Sequence, residues 1–293
     1  VPISAERRML HVLPQEFSID CQDGIKSAIG MSGVRMEAKV HIITCANDMA
    51  KNIVKCAERC DLHADQLIFS ALASSYAVLT EDEKELGICV VDMGAGTMDI
   101  AVFTGGSLRH TAVIPVAGNQ VTSDIAKIFR TPLSHAEDIK VQYACALKQL
   151  VSMEENIEVP SVGGRAARTM SRHTLSEVVE PRYHELFELI QEELRGSGLE
   201  DQIAAGYVLT GGTAKMEGVV EFSEEFFQMP VRIATPLEVE GLKEYVDDPQ
   251  YSTVVGLLHY GLKANEQVNT EKKSGSNFKE WANKLTAWFK GEF

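Results

Sequence analysis

Blocks of apolar positions separated by polar turns run along the chain and predict a mixed α/β protein. The apolar runs that are typical of buried strands fall at 39–45, 86–92, 98–103, 107–114 and 205–210, with another expected near 65–70. Apolar spacing predicts helices over 47–60, 71–79, 136–150, 175–195 and 251–260, the first of them capped by Asn47 or Asp48. Because strand–helix units are followed by hairpins, we expect a mixed sheet flanked by helices.

Two segments depart from this order. Between 128 and 205, two helices enclose a segment with glycine and arginine, SVGGRAARTMSR, which indicates an inserted subdomain. Residues 262–277 are polar and contain Glu, Asn, Lys, Ser and Gly, the composition of a flexible linker. The chain therefore divides into a globular body and a short terminal segment.

Composition and charge argue against several classes of function and of site. The formal charge of −14 argues against nucleic-acid binding, because contact with phosphate needs clustered Lys and Arg. The charge is uneven, since residues 271–293 carry five Lys and only three Glu. The six cysteines lack metal-ligand spacing and are expected to be reduced thiols. No apolar run reaches 18 residues, so no transmembrane helix is expected.

An acidic, glycine-rich turn joins two apolar strands in VVDMGAGTMDIAVF, residues 90–103. Asp92 could hold magnesium through water, while Gly94, Gly96 and Thr97 would let backbone N–H groups approach phosphate oxygens. Taken alone, the motif fits an ordinary hairpin turn equally well.

A second glycine turn, VLTGGTAKMEG, covers residues 208–218. Gly211 and Gly212 would let the backbone approach a purine and a ribose, although a purely structural turn has the same pattern. Two such loops separated by an insertion are more informative than either loop alone.

Together the loops resemble those of the actin-like ATPase superfamily, which includes heat-shock chaperones and sugar kinases. The resemblance implies a two-lobed α/β fold with mixed sheets, binding ATP and Mg. It also implies that Glu137 and Lys140, in AEDIK, contact the ribose and that Lys215 lies beside the adenine. A Glu/Lys pair at this spacing is otherwise a solvated helix face. The implied nucleotide-binding residues are Asp92, Gly94, Ala95, Gly96, Thr97, Glu137, Lys140, Gly211, Gly212, Thr213 and Lys215, with Asp92 holding Mg through water.

The sequence departs from that superfamily at two places, one concerned with phosphate binding and one with catalysis. The first phosphate loop, an Asp-x-Gly-Thr-like turn near the amino terminus, has no counterpart in this sequence. We therefore expect that the N-terminal portion of the parent protein is missing and that this chain binds ATP weakly. Where many relatives place a catalytic acid, LIFSALASSYAV has Ser70. Because serine is a poor general base without an activating partner, hydrolysis is expected to be weak or absent and no catalytic residue is assigned.

The terminal stretch SNFKEWANKLTAWFKGEF, residues 276–293, has the spacing of an amphipathic helix. Its large apolar side chains fall on one face with lysines at both edges, and Asn277 with Glu280 resembles a capping box. Such a helix lies in the surface of a membrane with its lysines facing anionic lipid; a helix docked on the protein's own core is the alternative. One copy binds weakly, so stable attachment needs several copies. The predicted membrane-binding residues are Phe278, Lys279, Trp281, Lys284, Leu285, Trp288, Phe289 and Lys290.

Over essentially its whole length the chain resembles the FtsA family of bacterial cell-division proteins. The resemblance is carried by LPQEFSID, GMSGVRMEAKVHIITC, LASSYAVLTEDEKELG, IEVPSVGG, EVVEPRYHEL and STVVGLLHYG. It implies an actin-like body, a family-specific small subdomain and a C-terminal amphipathic helix. The implied divisions are 1–38 for the remnant of the small subdomain (1C), 39–87 with 237–261 for parts of 1A, 88–127 with 206–236 for 2A, 128–205 for 2B, 262–277 for the linker and 278–293 for the membrane helix.

The same resemblance implies a membrane tether for the tubulin-like FtsZ ring. The protein is then peripheral, on the cytoplasmic face of the bacterial inner membrane at the division septum. Implied partners are the FtsZ C-terminal tail, further copies in a filament, later divisome proteins and an anionic membrane surface. Glu180, Arg182 and Glu185 are candidate contacts for the FtsZ tail, although an arginine on a helix surface is more often solvated. The alternatives are a superfamily enzyme, such as a sugar kinase or chaperone ATPase, and a pilus-assembly ATPase-like module.

Overall fold

The computed structural model of this chain describes residues 3–241 and 243–264. Its strands are β1 (Arg7–Ile19), β2 (Gln22–Ile25), β3 (Met36–Ala46), β4 (Ile88–Met93), β5 (Met98–Thr104), β6 (Ser107–Ile114), β7 (Asn156–Val159), β8 (Arg168–Ser171), β9 (Tyr207–Thr210) and β10 (Val231–Ile233). Its α-helices are α1 (Asn47–Glu58), α2 (Ser70–Val78), α3 (Glu81–Leu86), α4 (Gly118–Phe129), α5 (Leu133–Tyr143), α6 (Arg172–Ser197), α7 (Val219–Phe227), α8 (Lys243–Val246) and α9 (252–264).

A five-stranded mixed sheet lies at the centre, in the order β10-β9-β4-β5-β6. β9 and β10 run parallel to β4, whereas β5 and β6 follow β4 as antiparallel neighbours. The pairing of β4 with β9 aligns Asp92 with Thr210. The carboxyl ends of these two strands, which lead into the two glycine loops, therefore meet at the same edge of the sheet.

The central strands are apolar at almost every position because both faces of the sheet are covered. Cys89, Val91 and Met93 of β4 pack into one core with residues of α4, α6 and α7. Ile88 and Val90 pack into a second core with residues of α2 and α9. Burial on both faces explains why β4 and β5, apart from Asp92 and Asp99, show continuous apolar runs instead of alternation.

Helices α2 and α9 cross at a glycine. A Cβ placed on Gly256 would lie 1.8 Å from the carbonyl oxygen of Ala73, so the two helices approach more closely than any side chain permits. α2 itself consists mostly of small residues and is buried along nearly its whole length. The crossing brings hydroxyl-bearing residues of both helices to the end of β4.

A three-stranded antiparallel sheet, in the order β2-β1-β3, lies against β6. The Gln15 side chain donates to the carbonyl oxygen of Leu108 at 2.9 Å, and Ser107 Oγ donates to the carbonyl oxygen of Gln15 at 3.1 Å. His41 Nε2 lies 2.9 Å from Thr111 Oγ1. Among the described residues no strand of this sheet pairs with β6, so side-chain hydrogen bonds and the packing of Ile43 in the second core join the two sheets.

The region between α4 and β9 contains α5, the β7–β8 pair and the 26-residue helix α6. Ser171 caps α6 by accepting a hydrogen bond from the His173 N–H at 3.2 Å, and Gly198, with φ of 71°, ends it. The helix predicted over 175–195 is therefore present and somewhat longer. Neither α6 nor any other helix among the described residues is long and apolar enough to cross a membrane.

The strand predicted near 65–70 is wrong, because residues 62–69 have no regular structure. The N–H of Phe69 donates to His11 Nε2 at 3.1 Å, so a side chain supplies the partner that a neighbouring strand would have offered. The apolar residues of this segment pack beside α2 without forming a ladder.

Two predicted helix boundaries also differ. The helix expected over 136–150 ends at Tyr143, where the chain turns to an extended conformation. α1 begins with Ala46 as its N-cap, and neither Asn47 nor Asp48 caps it with a side chain. The side-chain amide of Asn47 donates instead to the backbone carbonyl oxygen of Ala5.

Candidate functional site

The turn between β4 and β5 is closed by a hydrogen bond from the Gly94 N–H to the Thr97 carbonyl oxygen, at 2.9 Å. The Gly94 carbonyl oxygen in turn accepts from the N–H of Gly118, the first residue of α4, at 3.3 Å. A Cβ on Gly96 would meet nothing within 4 Å, so the backbone there is open to an approaching group. One side of the turn is thus anchored on α4 and the other side is free.

Asp92 is the last residue but one of β4, beside this turn, and is held by hydroxyl groups. Its Oδ2 accepts hydrogen bonds from Ser74 Oγ at 2.5 Å and from Thr253 Oγ1 at 2.8 Å, and the residue is 9% exposed. A Cβ on Gly211 would lie 2.5 Å from Asp92 Oδ1, and the φ of Gly211 is 85°, so glycine is required there. The carboxylate is therefore enclosed by α2, α9 and the second glycine loop.

A second carboxylate, Asp99, lies directly opposite Asp92 in the hairpin. Ser70 Oγ donates to Asp99 Oδ2 at 2.5 Å. Burial raises the pKa of Asp99, the Ser70 hydrogen bond opposes that shift, and the charge of Asp92 adds to it. The sequence did not point to Asp99, Ser74 or Thr253. The spacing of Ser70 and Ser74, four residues apart on α2, is the signal that could have shown that both serines reach the hairpin.

A cleft of about 450 Å³ opens between the two glycine loops and α5. Six of the predicted nucleotide-binding residues line it: Ala95, Glu137, Lys140, Gly212, Thr213 and Lys215. The other five form the strand end and the turns next to it: Asp92, Gly94, Gly96, Thr97 and Gly211. The wall also contains Tyr183 and Gln250, which the sequence did not single out.

Glu137 and Lys140 form an ion pair on the wall of the cleft, with Nζ 2.8 Å from Oε2. The Lys140 side chain is only 11% exposed, and its ammonium also donates to Thr122 Oγ1 at 3.0 Å. Thr122 Oγ1 in turn donates to Glu137 Oε2 at 2.5 Å. Partial burial alone would raise the pKa of Glu137, but the hydrogen bonds from Lys140 and Thr122 lower it. Lys140 is therefore packed in a hydrogen-bonded network, whereas the Glu137 side chain remains 47% exposed.

Lys215 follows the second glycine turn and forms an ion pair with Asp248. Asp248 also accepts a hydrogen bond from the Gln250 N–H at 3.0 Å. Partial burial would raise the pKa of Asp248, but the hydrogen bonds from Lys215 and Gln250 lower it. The Lys215 side chain remains 47% exposed, so a partly neutralised cation stands at the edge of the cleft.

The two glycine loops are bonded to each other. Thr213 Oγ1 donates to the Gly94 carbonyl oxygen at 2.8 Å. From α6, the buried Tyr183 hydroxyl donates to the Thr213 carbonyl oxygen at 2.9 Å. Sequence reasoning missed Tyr183 because its position in the helix pattern is that of an ordinary core residue. The second loop is therefore fixed both to the hairpin and to α6.

The donor set at the end of β4 fits the magnesium that the resemblance implies. Mg²⁺ prefers oxygen ligands and keeps several waters, and the Asp92 carboxylate can accept hydrogen bonds from such waters. Across residues 3–241 and 243–264, no group of three or more His, Cys, Asp or Glu side chains is placed to hold a metal ion. An ion held beside Asp92 in this way would therefore take its ligands from water and from a bound molecule.

The three candidate contacts for the FtsZ tail all lie on α6. Arg182 and Glu185 line a shallow cleft of about 330 Å³. Arg182 Nε donates to Asp124 Oδ2 at 2.6 Å, and the same guanidinium pairs with Glu185. Glu180 makes a different contact, accepting from the Lys148 N–H at 2.7 Å. The structure thus brings Arg182 and Glu185 together and leaves Glu180 in a separate contact.

The predicted membrane-binding residues lie outside the described residues. They are Phe278, Lys279, Trp281, Lys284, Leu285, Trp288, Phe289 and Lys290. The predicted linker, 262–277, is described only as far as residue 264, where it continues α9.

Comparison with known protein families shows the family to which this chain belongs. A family model described as cell division protein FtsA matches residues 89–256, and one described as the SHS2 domain inserted in FTSA matches residues 1–44. Cell division protein FtsA of Escherichia coli K12 is 56% identical over 302 residues, covering 100% of this chain and 72% of that protein. The chain belongs to the FtsA family. FtsA of Pseudomonas aeruginosa is likewise 56% identical over 299 residues, with the same coverage of 100% and 72%.

This FtsA-family protein has the actin-like fold that was expected. MreB5 of Spiroplasma citri bound to ADP superposes with a TM-score of 0.63 at 19% identity, over 77% of this chain and 68% of that chain. A PilM–PilN type IV pilus biogenesis complex gives a TM-score of 0.64 at 15% identity, over 88% and 67%. At these identities the likeness concerns the fold alone. The family match assigns the protein to cell division, in preference to the kinase, chaperone and pilus-assembly alternatives.

Proposed function

We propose that this FtsA-family protein is an ATP-binding membrane adaptor. It anchors the FtsZ ring to the inner face of the cytoplasmic membrane, polymerises and recruits later division proteins. The observation that carries the nucleotide part of the proposal is the cleft, in which six predicted residues from both glycine loops and α5 meet. The division role of the FtsA relatives supports the rest.

The two halves of the cleft suit different parts of a nucleotide. The open backbone at Gly96 suits phosphate oxygens, and the Gly212 backbone, where a Cβ would meet nothing within 4 Å, suits the adenosine. The Glu137 carboxylate can accept hydrogen bonds from ribose hydroxyls, and the hydrogen bonds from Lys140 and Thr122 lower its pKa. The structure of MreB5 bound to ADP supports nucleotide binding by a protein of this fold.

Slow or absent hydrolysis is part of the proposal. Magnesium, when bound, supplies positive charge that neutralises the phosphates, and Asp92 would hold it through water. The Ser70 hydroxyl donates a hydrogen bond to Asp99 and does not replace a catalytic acid. No catalytic residue is therefore assigned.

The proposed FtsZ contact uses the cleft beside Arg182. The guanidinium is already paired with Asp124 and Glu185, so an acidic peptide would compete with these two carboxylates. The proposed membrane contact uses the predicted apolar stripe of residues 278–290, with its lysines facing anionic headgroups.

The proposed subdomains follow the family divisions. In this proposal β1, β2 and the first residues of β3 belong to the remnant of 1C, and the rest of β3, up to Ala46, belongs to 1A. The central sheet belongs to 2A, and the region of α5 and α6 belongs to 2B. The proposed boundaries are 1–38, 39–87 with 237–261, 88–127 with 206–236, and 128–205, followed by the linker 262–277 and the helix 278–293.

Affinity for Mg·ATP tests the nucleotide part. We expect Lys140→Gln to weaken binding about tenfold, because it removes the cation from a charge-assisted network in the cleft. The matched control is Lys39→Gln, which removes a lysine whose partner, Glu16, lies in the three-stranded sheet. Calorimetry or fluorescence anisotropy measures both. Both affinities should be weak, because the sequence lacks the first phosphate loop. Equal affinity of Lys140→Gln and the unmodified chain, or no binding to either, contradicts the proposal.

A further inference from the structure

Hydroxyl groups from α2 and α9 meet the ends of the two parallel strands β4 and β9. Thr253 Oγ1 donates to Asp92 Oδ2 near the end of β4. The hydroxyl oxygen of its neighbour, Ser252 Oγ, lies 2.6 Å from Thr210 Oγ1 at the end of β9. Asp92 and Thr210 are aligned partners on adjacent strands. The first turn of α9 is therefore bonded to both strand ends that lead into the glycine loops.

Hydroxyl groups from two helices donate to the same carboxylate oxygen of Asp92, Oδ2. Ser74 Oγ and Thr253 Oγ1 lie 2.9 Å apart and both donate to Oδ2. Two donors occupy the two lone pairs of a carboxylate oxygen, so Oδ2 has no capacity for another partner. The carboxylate cannot rotate without breaking one of these bonds.

The other oxygen of Asp92 is left for a different partner. None of the described residues donates to Oδ1, which lies against Gly211 on the side of the second glycine loop. A role in folding alone would require only that the nearly buried carboxylate be hydrogen-bonded. One hydroxyl could donate to each carboxylate oxygen, yet both donate to Oδ2.

We infer that Ser74 and Thr253 are positioning residues, a hydroxyl clamp that holds Oδ2 of Asp92 and leaves Oδ1 to accept a hydrogen bond from a magnesium-bound water of a nucleotide. The inference rests on the proposed nucleotide function and deepens it. Neither Ser74 nor Thr253 lines the cleft, so the clamp acts on a ligand only through Asp92, the proposed partner of the magnesium-bound water. Its loss should therefore affect ligands with several phosphates more than AMP.

The test compares variants that lack one or both clamp hydroxyls. Thr253→Val and Ser74→Ala, alone and together, remove the donors, whereas Thr253→Ser keeps the hydroxyl. The matched control is Ser75→Ala, which removes a neighbouring buried hydroxyl of α2 that donates to the Leu72 carbonyl oxygen. Thr253→Val alone is sufficient for the test if the double variant does not fold, because Thr253 is only partly buried.

The first measurement is amide hydrogen exchange in the chain without nucleotide. We expect exchange at residues 93–98 to become about tenfold faster in the double variant, because two hydrogen bonds to a charged group are lost. Exchange at the β5–β6 turn, residues 104–107, should stay unchanged, as should all exchange in Ser75→Ala. Unchanged exchange at 93–98, or equal acceleration in Ser75→Ala, overturns the inference.

The second measurement is affinity for Mg·ADP and for AMP. We expect the double variant to lose about tenfold in Mg·ADP affinity and less than about twofold in AMP affinity, with Thr253→Ser close to the unmodified chain. Equal losses for both ligands, or faster exchange with unchanged Mg·ADP affinity, overturn the positioning role. If the unmodified chain binds no Mg·ADP, the nucleotide function fails, and with it the role of the clamp in positioning a ligand. If it binds and the variants bind equally well, only the clamp fails.

Discussion

At the scale of single residues, hydroxyl groups are the common partners of the carboxylates around the cleft. Ser70 donates to Asp99 and Thr122 donates to Glu137, each at 2.5 Å. A hydroxyl stabilises a carboxylate without bringing a positive charge to it. The negative charge at the end of β4 therefore remains available to an approaching cation, whereas Glu137 already has Lys140 beside it.

His11 makes stability depend on pH. It is buried, its Nε2 accepts from the Phe69 N–H, and burial lowers its pKa. An imidazolium cannot accept that hydrogen bond. With the folded pKa below the unfolded value of about 6.5, the unfolded state binds more protons, so stability is complete above that value and falls as pH decreases toward the folded pKa. Burial, together with the charge of His110, also lowers the pKa of His41. His41 therefore likewise makes the folded state less stable as the pH decreases.

We expect His11→Asn to show a smaller loss of stability than the unmodified chain between about pH 7.5 and pH 5.5. Urea unfolding midpoints at the two pH values measure the difference. His63→Asn is the control, because that side chain is 86% exposed and should leave the pH dependence as it was. A full pH dependence in His11→Asn would show that the buried imidazole is not responsible.

At the scale of elements, the crossing of α2 and α9 depends on the missing side chain of Gly256. We expect Gly256→Ala to lower the free energy of unfolding by about 3 kcal/mol, because its Cβ would lie 1.8 Å from the Ala73 carbonyl oxygen and the helices must separate. Gly261→Ala, in the same helix and with nothing within 4 Å of its Cβ, should be neutral or stabilise by up to about 1 kcal/mol. Equal effects of both variants in urea unfolding would refute the close crossing.

The elements also show what the sequence can and cannot predict. The β4–β5 hairpin could be predicted because strands buried on both faces leave unbroken apolar runs beside a glycine turn. The strand near 65–70 was wrong because a run of apolar residues records burial and not the presence of a hydrogen-bonded neighbour. The contact of Ser74 with Thr253 spans 179 residues, so no local pattern records it. Contacts of that kind appear only once α2 and α9 have been placed.

At the scale of the whole molecule, the body is acidic and the predicted terminal helix is basic. We expect Trp288→Glu to weaken binding of the chain to vesicles containing anionic lipid about tenfold, because it places a charge in the predicted apolar stripe and removes a large apolar side chain. Asn283→Glu adds the same charge on the opposite face of the predicted helix and should have little effect. Vesicle co-sedimentation compares the two. Equal losses would mean that charge alone, and not an apolar face, governs the attachment.

The hydrogen bond from Thr213 to the Gly94 carbonyl oxygen joins the two glycine loops directly. Loops that are linked in this way, and fixed further by Tyr183, present a preorganised surface to an incoming molecule. Little loop entropy is then lost on association, so affinity depends mainly on the contacts that the ligand itself makes.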